Sequence, residues 1–160
     1  MSIHRIIIII TILFLAGCSA TGPKYTELHK QPLDGKSEIV IYRLSQFAAS
    51  GGCYRVKVDD KQIGILANGG YVRKIVEPGS HKVSIVLRSG LDLVIETKPN
   101  ETNYIQYNIG VSGMSAFPIG TIAVVNMDWD VSLVDVPKNQ GLNTVSNLRQ
   151  SLKTNTCMSE

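Results

Sequence analysis

From residue 38 to residue 136 the chain consists of short runs of β-branched and aromatic residues, with turn residues between them. Pro78-Gly79 and Asn68-Gly69-Gly70 are typical of tight turns, because proline presets φ and glycine tolerates positive φ. Turns at intervals of about 8 to 12 residues favour an all-β fold over βαβ units. We therefore expect an antiparallel β-sandwich of roughly 7–9 short strands. The expected strands are residues 38–43, 54–58, 62–66, 71–76, 81–87, 91–97, 104–111 and 122–136, the last with a break near Asp128.

One short helix is expected after the sandwich domain, which we place at residues 38–137. Apolar residues recur at helical spacing after Gly141, and such a stripe would cover an open end or edge of the sandwich. Residues 138–160 are therefore expected to be partly helical and to end in a mobile tail. The apolar stripe consists of Leu142, Val145, Leu148 and Leu152.

The N-terminus has the order of a secretory signal peptide. Arg5 precedes an apolar run at residues 6–17 that only Thr11 interrupts. This run is shorter than the roughly 20 apolar residues that a membrane-spanning helix needs. A positive residue, a short apolar core and small residues in that order predict a cleaved leader over residues 1–17.

The four residues Leu15-Ala16-Gly17-Cys18 resemble the lipobox of bacterial lipoproteins. The resemblance implies that the thiol of Cys18 carries a diacylglycerol and that its freed amine is also acylated. Several acyl chains anchor a protein durably where one chain does not. In that class the residue after the cysteine guides sorting, and Ser19 implies the outer membrane of a Gram-negative cell, facing the periplasm. The alternative is an ordinary signal peptide, or an uncleaved anchor, with an incidental cysteine.

The mature chain carries little net charge and begins with a polar segment. Cleavage before Cys18 would leave 15 basic and 13 acidic side chains, a net charge of +2. This charge is too small, and its basic residues too scattered, for electrostatic capture of nucleic acid. Residues 18–37 contain several turn pairs and few apolar residues, so we expect a lipidated N-terminus followed by a flexible tether.

Four segments resemble a bacterial lipoprotein family that is known only as a domain of unknown function. They are Tyr42-Arg43-Leu44-Ser45-Gln46-Phe47-Ala48-Ala49-Ser50-Gly51, Val58-Asp59-Asp60-Lys61-Gln62-Ile63-Gly64, Asn68-Gly69-Gly70-Tyr71 and Glu77-Pro78-Gly79-Ser80-His81. The second and fourth are also similar to PEGA-type domains, which are small β-sandwiches of bacterial envelope proteins. The resemblance covers about residues 38–111. It implies an envelope lipoprotein with a β-sandwich and no catalytic residues to carry over.

Two cysteines remain once Cys18 is assigned to lipid. In an oxidising compartment Cys53 and Cys157 can form a disulfide that closes a loop of about 100 residues. Two free thiols, or pairing with another chain, are the alternatives. A non-reducing mass measurement distinguishes an intramolecular bridge from free thiols.

The sequence contains no convincing catalytic, metal or cofactor site. His29 and His81 lack metal-ligand spacing, and the acidic residues near Trp129 do not follow the pattern of a calcium loop. Gly110-Val111-Ser112-Gly113-Met114 lacks the last glycine of a nucleophile elbow, and His81 is the only candidate base for Ser112. We expect no enzyme activity, no metal and no cofactor.

One apolar loop is a candidate contact surface. Residues 111–120 are expected to form a small-residue loop that carries Met114, Phe117 and Ile119, either for a partner or packed under the sandwich. We expect a non-enzymatic, lipid-anchored module with a structural or protein-interaction role. The alternative is a glycan- or peptidoglycan-binding module, and a hydrolase is the least favoured. The aromatic platform of such a module would consist of Tyr42, Tyr54, Tyr71, Tyr104, Tyr107 and Trp129, although core packing is the ordinary explanation for most of them. The expected partners are the membrane, through the lipid, and an envelope protein or peptidoglycan.

Overall fold

The computed structural model describes residues 19–25, 33–47, 49–87, 89–119 and 122–152, with the backbone alone at 116–119 and 122–125. The predicted leader, Cys18, His29, Cys157 and the predicted mobile tail lie outside these residues. The described elements are β1 (Ser37–Tyr42), β2 (Tyr54–Val58), β3 (Lys61–Leu66), β4 (Gly70–Val76), β5 (Gly79–Ile85), β6 (Leu91–Thr97), β7 (Thr102–Ile119), β8 (Ile122–Val136), α1 (Lys138–Val145) and β9 (Arg149–Gln150). No helix among them is both long and apolar enough to cross a membrane.

Two sheets form the predicted all-β sandwich. The larger sheet has the strand order β8-β7-β1-β4-β9, and the smaller sheet has the order β3-β2-β5-β6. Most neighbours are antiparallel, as expected, but β1 runs parallel to β7 and β4 runs parallel to β9. The fold class is therefore confirmed, while the two parallel pairs were not predicted, because strand pairing across the chain leaves no local pattern.

The main core lies between the two sheets. Alternate apolar residues of β1, β2, β5 and β7 point into it, and this alternation is what places one face of each strand in the core. The fully or nearly buried members of this core are Ile39, Ile41, Val56, Val58, Leu66, Val72, Val83, Ile85, Ile95, Ile105, Tyr107 and Ile109.

A second apolar cluster covers the outer face of the larger sheet. Val40, Tyr42 and Tyr104 point to this side, where Val145 of α1 and Tyr25 of the N-terminal segment pack on them. All six residues of β1 are buried as a result. A strand covered on both faces carries a continuous apolar run instead of alternating polarity, and β1 has such a run at Ile39-Val40-Ile41.

The C-terminal helix is shorter than its apolar stripe predicts. It begins at Lys138 and ends at Val145, so Leu148 lies after the helix and packs on the outer cluster, while Leu152 is exposed. Gly141 lies inside the helix because its missing side chain leaves room for the ring of Tyr104. Residues after the helix then form β9 on the edge of β4.

The hairpin of β7 and β8 departs most from the sequence-based expectation. The predicted loop at residues 111–120 is strand as far as Ile119, and β8 continues through Asp128 without the predicted break. The irregularity is on the opposite strand, where the pairing register shifts between Val111 and Gly113. Serine, glycine and proline in residues 112–120 suggested a loop, but pairing with β8 overrides those weak local preferences.

Candidate functional site

The β7–β8 hairpin extends well beyond the end of the sandwich. β1 pairs with β7 only as far as Gln106, and β7 continues for 13 more residues to Ile119. We call its outer part, residues 110–119 and 122–130, the arm. At roughly 3.4 Å per residue the arm is about 30 Å long.

The core-facing side of the hairpin continues along the arm without a second sheet to cover it. Ile109 is only 8% exposed, whereas Val111 is 44% and Met114 is 72% exposed. On the other strand Met127 is 49% and Trp129 is 45% exposed. The register pairs Val111 with Trp129 and Met114 with Met127, so these four side chains share one face. The arm therefore presents an uncovered apolar stripe that is continuous with the core.

The opposite face of the arm is polar only in its inner part. There it carries Ser115 opposite Asn126, and Asp128 and Asp130 opposite glycines. Farther out, the register places Phe117 opposite Val124 and Ile119 opposite Ile122 on this same face. The bulge at Ser112 adds one residue to β7, which places Met114 on the same face as Val111 and gives Phe117 and Ile119 register positions on the opposite face. The Ser112 hydroxyl donates a hydrogen bond to the Asp128 carbonyl, 3.2 Å away, across the bulge.

Charge is absent from most of the hairpin. The 26 residues 102–127 contain no acidic, basic or histidine side chain. The two carboxylates of the arm, Asp128 and Asp130, alternate with Met127 and Trp129 and so lie on the polar face. The inner part of the arm is thus amphipathic, and the outer part carries no charged residue on either face.

The N-terminal segment leaves the sandwich at the same end as the arm. Ser19 forms a bridge with Asn68, and the Ala20 amide donates to the Asn68 carbonyl at 3.2 Å. Asn68 precedes β4, whose Tyr71 pairs with Tyr42, the last residue of β1. Since β7 runs parallel to β1, the arm projects past this same end. Cys18, the predicted lipid site, is one residue before Ser19.

The described part of the predicted flexible tether is packed on the sandwich. Tyr25 is completely buried, and its hydroxyl donates to Glu38 Oε2 at 3.0 Å and lies 3.3 Å from the Tyr104 hydroxyl. Burial, the Tyr104 hydroxyl and the Glu38 carboxylate raise the pKa of Tyr25. Arg73 Nε lies 2.7 Å from Glu38 Oε1 and balances the buried carboxylate. These contacts hold Tyr25 against the sandwich, and the tether predicted for residues 18–37 stays a prediction.

The structure places the candidate contact residues along the arm. Met114 is its most exposed apolar side chain among those described. Phe117 and Ile119 belong to β7, and the structure describes only the backbone at these two positions. Their role in a partner contact stays a prediction.

Cys53 is disulfide-bonded. Its bonding partner lies outside the described residues, so the pairing of Cys53 with Cys157 stays a prediction. Cys53 directly precedes β2, at the end of the 43–53 connection.

The residues considered for hydrolysis lie at opposite ends of the sandwich. Ser112 is on the arm, whereas His81 is near the start of β5, beside the turn from β2 to β3. His81 Nδ1 lies 2.7 Å from Asp59 Oδ2, and its Nε2 lies 2.7 Å from the Glu77 carbonyl. Both imidazole nitrogens are therefore engaged.

The tyrosines considered for glycan binding do not form an exposed platform. Tyr42, Tyr71, Tyr104 and Tyr107 are buried, and Tyr54 is half-buried against the Tyr107 ring at a centroid distance of 5.0 Å. Trp129 is exposed, but on the arm and apart from them. Core packing accounts for these tyrosines.

The His81–Asp59 pair predicts a specific titration. Burial lowers the pKa of His81, but the Asp59 carboxylate and the Glu77 carbonyl outweigh it and raise that pKa above 6.5. The hydrogen bond from His81 lowers the pKa of Asp59 below 3.8. The stabilisation from this pair is lost as pH rises through the raised His81 pKa, and as pH falls through the lowered Asp59 pKa.

We therefore expect Asp59→Asn to lower the His81 pKa in an NMR titration, because burial then dominates. Asp60→Asn is the matched control, since Asp60 instead pairs with Lys82 at 2.8 Å. Equal shifts in the two variants would contradict a specific His81–Asp59 interaction.

A family model described as a protein of unknown function (DUF2846) matches residues 33–120. The match spans more than half of the chain. The chain belongs to the DUF2846 family. In this structure the family match extends from the turn before β1 to the end of β7, so it includes one strand of the arm.

No curated protein matches the chain significantly. Among solved structures, the N-terminal domain of AlgF from P. aeruginosa is similar at a TM-score of 0.36 and 16% identity, over 64% of this chain and 95% of that one. A likeness at this TM-score carries no argument about function.

Proposed function

We propose that the chain is a non-enzymatic envelope lipoprotein of a Gram-negative bacterium, with a structural or protein-interaction role. Lipid on Cys18 would hold the β-sandwich at the outer membrane, facing the periplasm. The lipobox-like Leu15-Ala16-Gly17-Cys18 sequence supports the anchor, and Ser19 supports the outer membrane. The family description leaves the molecular role open.

The uncovered apolar face of the arm carries the interaction part of this proposal. A side chain such as Met114, 72% exposed and next to other apolar residues, is unfavourable in water unless another surface covers it. β8 also lies at the edge of its sheet in the described strand order, so its outer backbone groups can pair with an added strand. A contact surface accounts for both features, whereas catalysis requires neither.

Photocrosslinking in cells tests this proposal. A photoreactive amino acid replaces Met114 in the full chain, and the same substitution at Lys61, an exposed position of β3, is the matched control. We expect ultraviolet light to produce a discrete adduct from position 114 and not from position 61. Mass spectrometry identifies the adduct as protein or lipid. Equal or absent adducts at the two positions would contradict a contact role for the arm.

A further inference from the structure

We propose that a groove at the end of the sandwich opposite the arm binds a short acidic peptide of the bacterial cell wall. The groove lies between β3, at the edge of the smaller sheet, and the last residues of β4 in the larger sheet. This site is not part of the proposed function, on which only the choice of the cell wall as the source of the peptide rests. Its main side chains are Lys36, Lys61, Ile63, Lys74, Ile75 and Val76.

The groove begins where the two sheets approach each other closely. Gly64 of β3 lies so near Val72 of β4 that an added Cβ would be 2.9 Å from Val72 Cγ1. From this contact towards Lys61 and Val76, the strands line a groove of about 600 Å³. Ligand pockets usually measure about 300–1,000 Å³, so the groove has room for a short peptide and not for a protein domain.

The floor of the groove is apolar. Ile63 and Val76 are partly buried and pack against the main core. Ile63 is the extra residue of a β-bulge against β2, and bulges at sheet edges re-aim side chains. Ile75, at the rim, is 36% exposed. Small apolar groups of a ligand can therefore cover the exposed parts of these side chains.

The two carboxylates that line the groove have partners of their own. Asp59 Oδ2 lies 2.7 Å from His81 Nδ1. Glu77 Oε1 lies 2.9 Å from Lys36 Nζ. Three lysines stand against these two carboxylates, so the groove has an excess of positive charge whether or not His81 is protonated.

The other two lysines of the groove, Lys61 and Lys74, form no ion pair among the described residues. Lys61 also acts on the Asp59 carboxylate through space, where His81 is the direct partner. Both lysines are exposed. Ammonium groups form charge-assisted hydrogen bonds with carboxylates, which are roughly twice as strong as bonds between neutral groups. These lysines therefore favour a ligand that carries carboxylates next to a small apolar part.

Strand edges border the groove and suit an extended peptide backbone. β3 has a neighbour on one side only in the described strand order, and β9 pairs with β4 only at Gly70 and Tyr71. The Tyr71 carbonyl accepts a hydrogen bond from the Ser151 amide on the β9 side. Hydrogen-bonding groups alternate along a strand, so those of Ile75 point the same way, and no described strand lies beside them. An extended peptide can pair there as an added strand.

The groove faces away from the predicted lipid anchor. β4 starts beside the bridge between Asn68 and Ser19 and reaches the groove at its last residues, 74–76. At roughly 3.4 Å per residue, the two places are about 20 Å apart. With lipid on Cys18, the groove points into the periplasm, where the cell wall lies. The wall repeats one short acidic peptide many times, so a weak site on many anchored copies can hold it.

Co-sedimentation with purified cell walls tests the site. The lipidated full-length mature protein, in detergent, is centrifuged with walls freed of protein, and its bound fraction is measured. We expect saturable binding that the free peptide of alanine, glutamate, diaminopimelate and alanine displaces. The same peptide with amidated carboxylates should not displace the wall, because the lysines then have no anionic partner.

Lysine variants locate the binding. Lys61→Gln and Lys74→Gln each remove one charge at an exposed position, and we expect each to weaken binding about tenfold. Lys138→Gln on α1 removes the same charge outside the groove and is the matched control, expected to bind like the wild type. The circular dichroism of all three variants should match that of the wild type, since none of these lysines is buried.

Each contrary outcome also decides the question. Absence of sedimentation with the wall would overturn the proposal, as would equal affinities of Lys74→Gln and Lys138→Gln. Displacement by the amidated peptide would overturn recognition through carboxylates. If a photoreactive residue in place of Ile75 formed protein adducts in cells, a protein segment would occupy the groove instead.

Failure of the groove and failure of the anchor are distinguishable. Unlipidated Cys18→Ala protein should bind the wall as the lipidated protein does, because the groove lies at the other end of the sandwich. Mass measurement of the lipid on Cys18 tests the anchor separately.

Discussion

Replacing Cys18 with alanine is expected to abolish labelling by palmitate and to move the protein from the membrane fraction to the soluble fraction. The reason is that the thioether and the freed amine both depend on this residue. Each buried CH₂ of an acyl chain contributes about 0.8 kcal/mol, so losing several chains removes nearly all membrane affinity.

Two variants of the next residue serve as controls. Ser19→Ala should keep both the label and the membrane location. Ser19→Asp should keep the label but move the protein to the inner membrane, because aspartate after the lipidated cysteine is associated with retention there. Continued palmitate labelling of Cys18→Ala would disprove the anchor, and unchanged sorting of Ser19→Asp would disprove the role of Ser19.

Replacing Arg43 with methionine is expected to destabilise the sandwich by about 3 kcal/mol and lower Tm by roughly 10 °C. Arg43 is fully buried at the end of β1. Its Nη1 donates to the Gly52 carbonyl at 2.8 Å and its Nη2 donates to the Ala49 carbonyl at 2.6 Å. The guanidinium also lies 5.2 Å from the centre of the Tyr54 ring.

Methionine fills a similar volume but donates no hydrogen bond, so two carbonyl groups lose a charged donor. That loss exceeds the gain from removing a buried charge. The guanidinium holds the connection at residues 43–53 through these two carbonyl groups, so the connection would have to rearrange without it. Thermal unfolding followed by circular dichroism measures the effect. Arg55→Met is the matched control, since Arg55 is an exposed strand residue of the same sandwich and should change Tm by no more than a few degrees. Equal changes in the two variants would contradict a specific role for Arg43.

Local sequence patterns were sufficient to predict the strands and most of the turns. β-Branched runs with alternating polarity specify strands, and residues such as Asp59 and Asp60, both with positive φ, close the tight turn from β2 to β3. These features depend on neighbours in the chain. The predicted bounds of the first six strands therefore agree with the structure to within a few residues.

The arm was the main error in the candidate site, although the sequence contains a signal for it. Residues 102–127 are uncharged, and polar and apolar residues alternate along β8 from Asn126 to Val131. That alternation predicts a strand through Asp128, and its continuity predicts a long hairpin. The small residues at 112–120 favour a loop, but pairing between β7 and β8 has the stronger effect.

Arg43, Glu38 and Tyr25 were not identified as buried polar residues. Their burial depends on carbonyls and hydroxyls from distant parts of the chain, such as Tyr104, which is 79 residues from Tyr25. No pattern within a few residues predicts such partners. A charged side chain is otherwise expected at the surface.

The sequence by itself determined the order of the strands along the chain, the all-β class and the lipobox-like motif, because each follows from residues that are close together. Only the tertiary structure decided which strands pair, that β1 is covered on both faces, and that Ser19 and the arm lie at one end. Those features depend on contacts between residues far apart in the chain, for which short-range periodicity carries no information. The exposed face of the arm is also a tertiary feature, because it results from the smaller sheet ending before the arm begins.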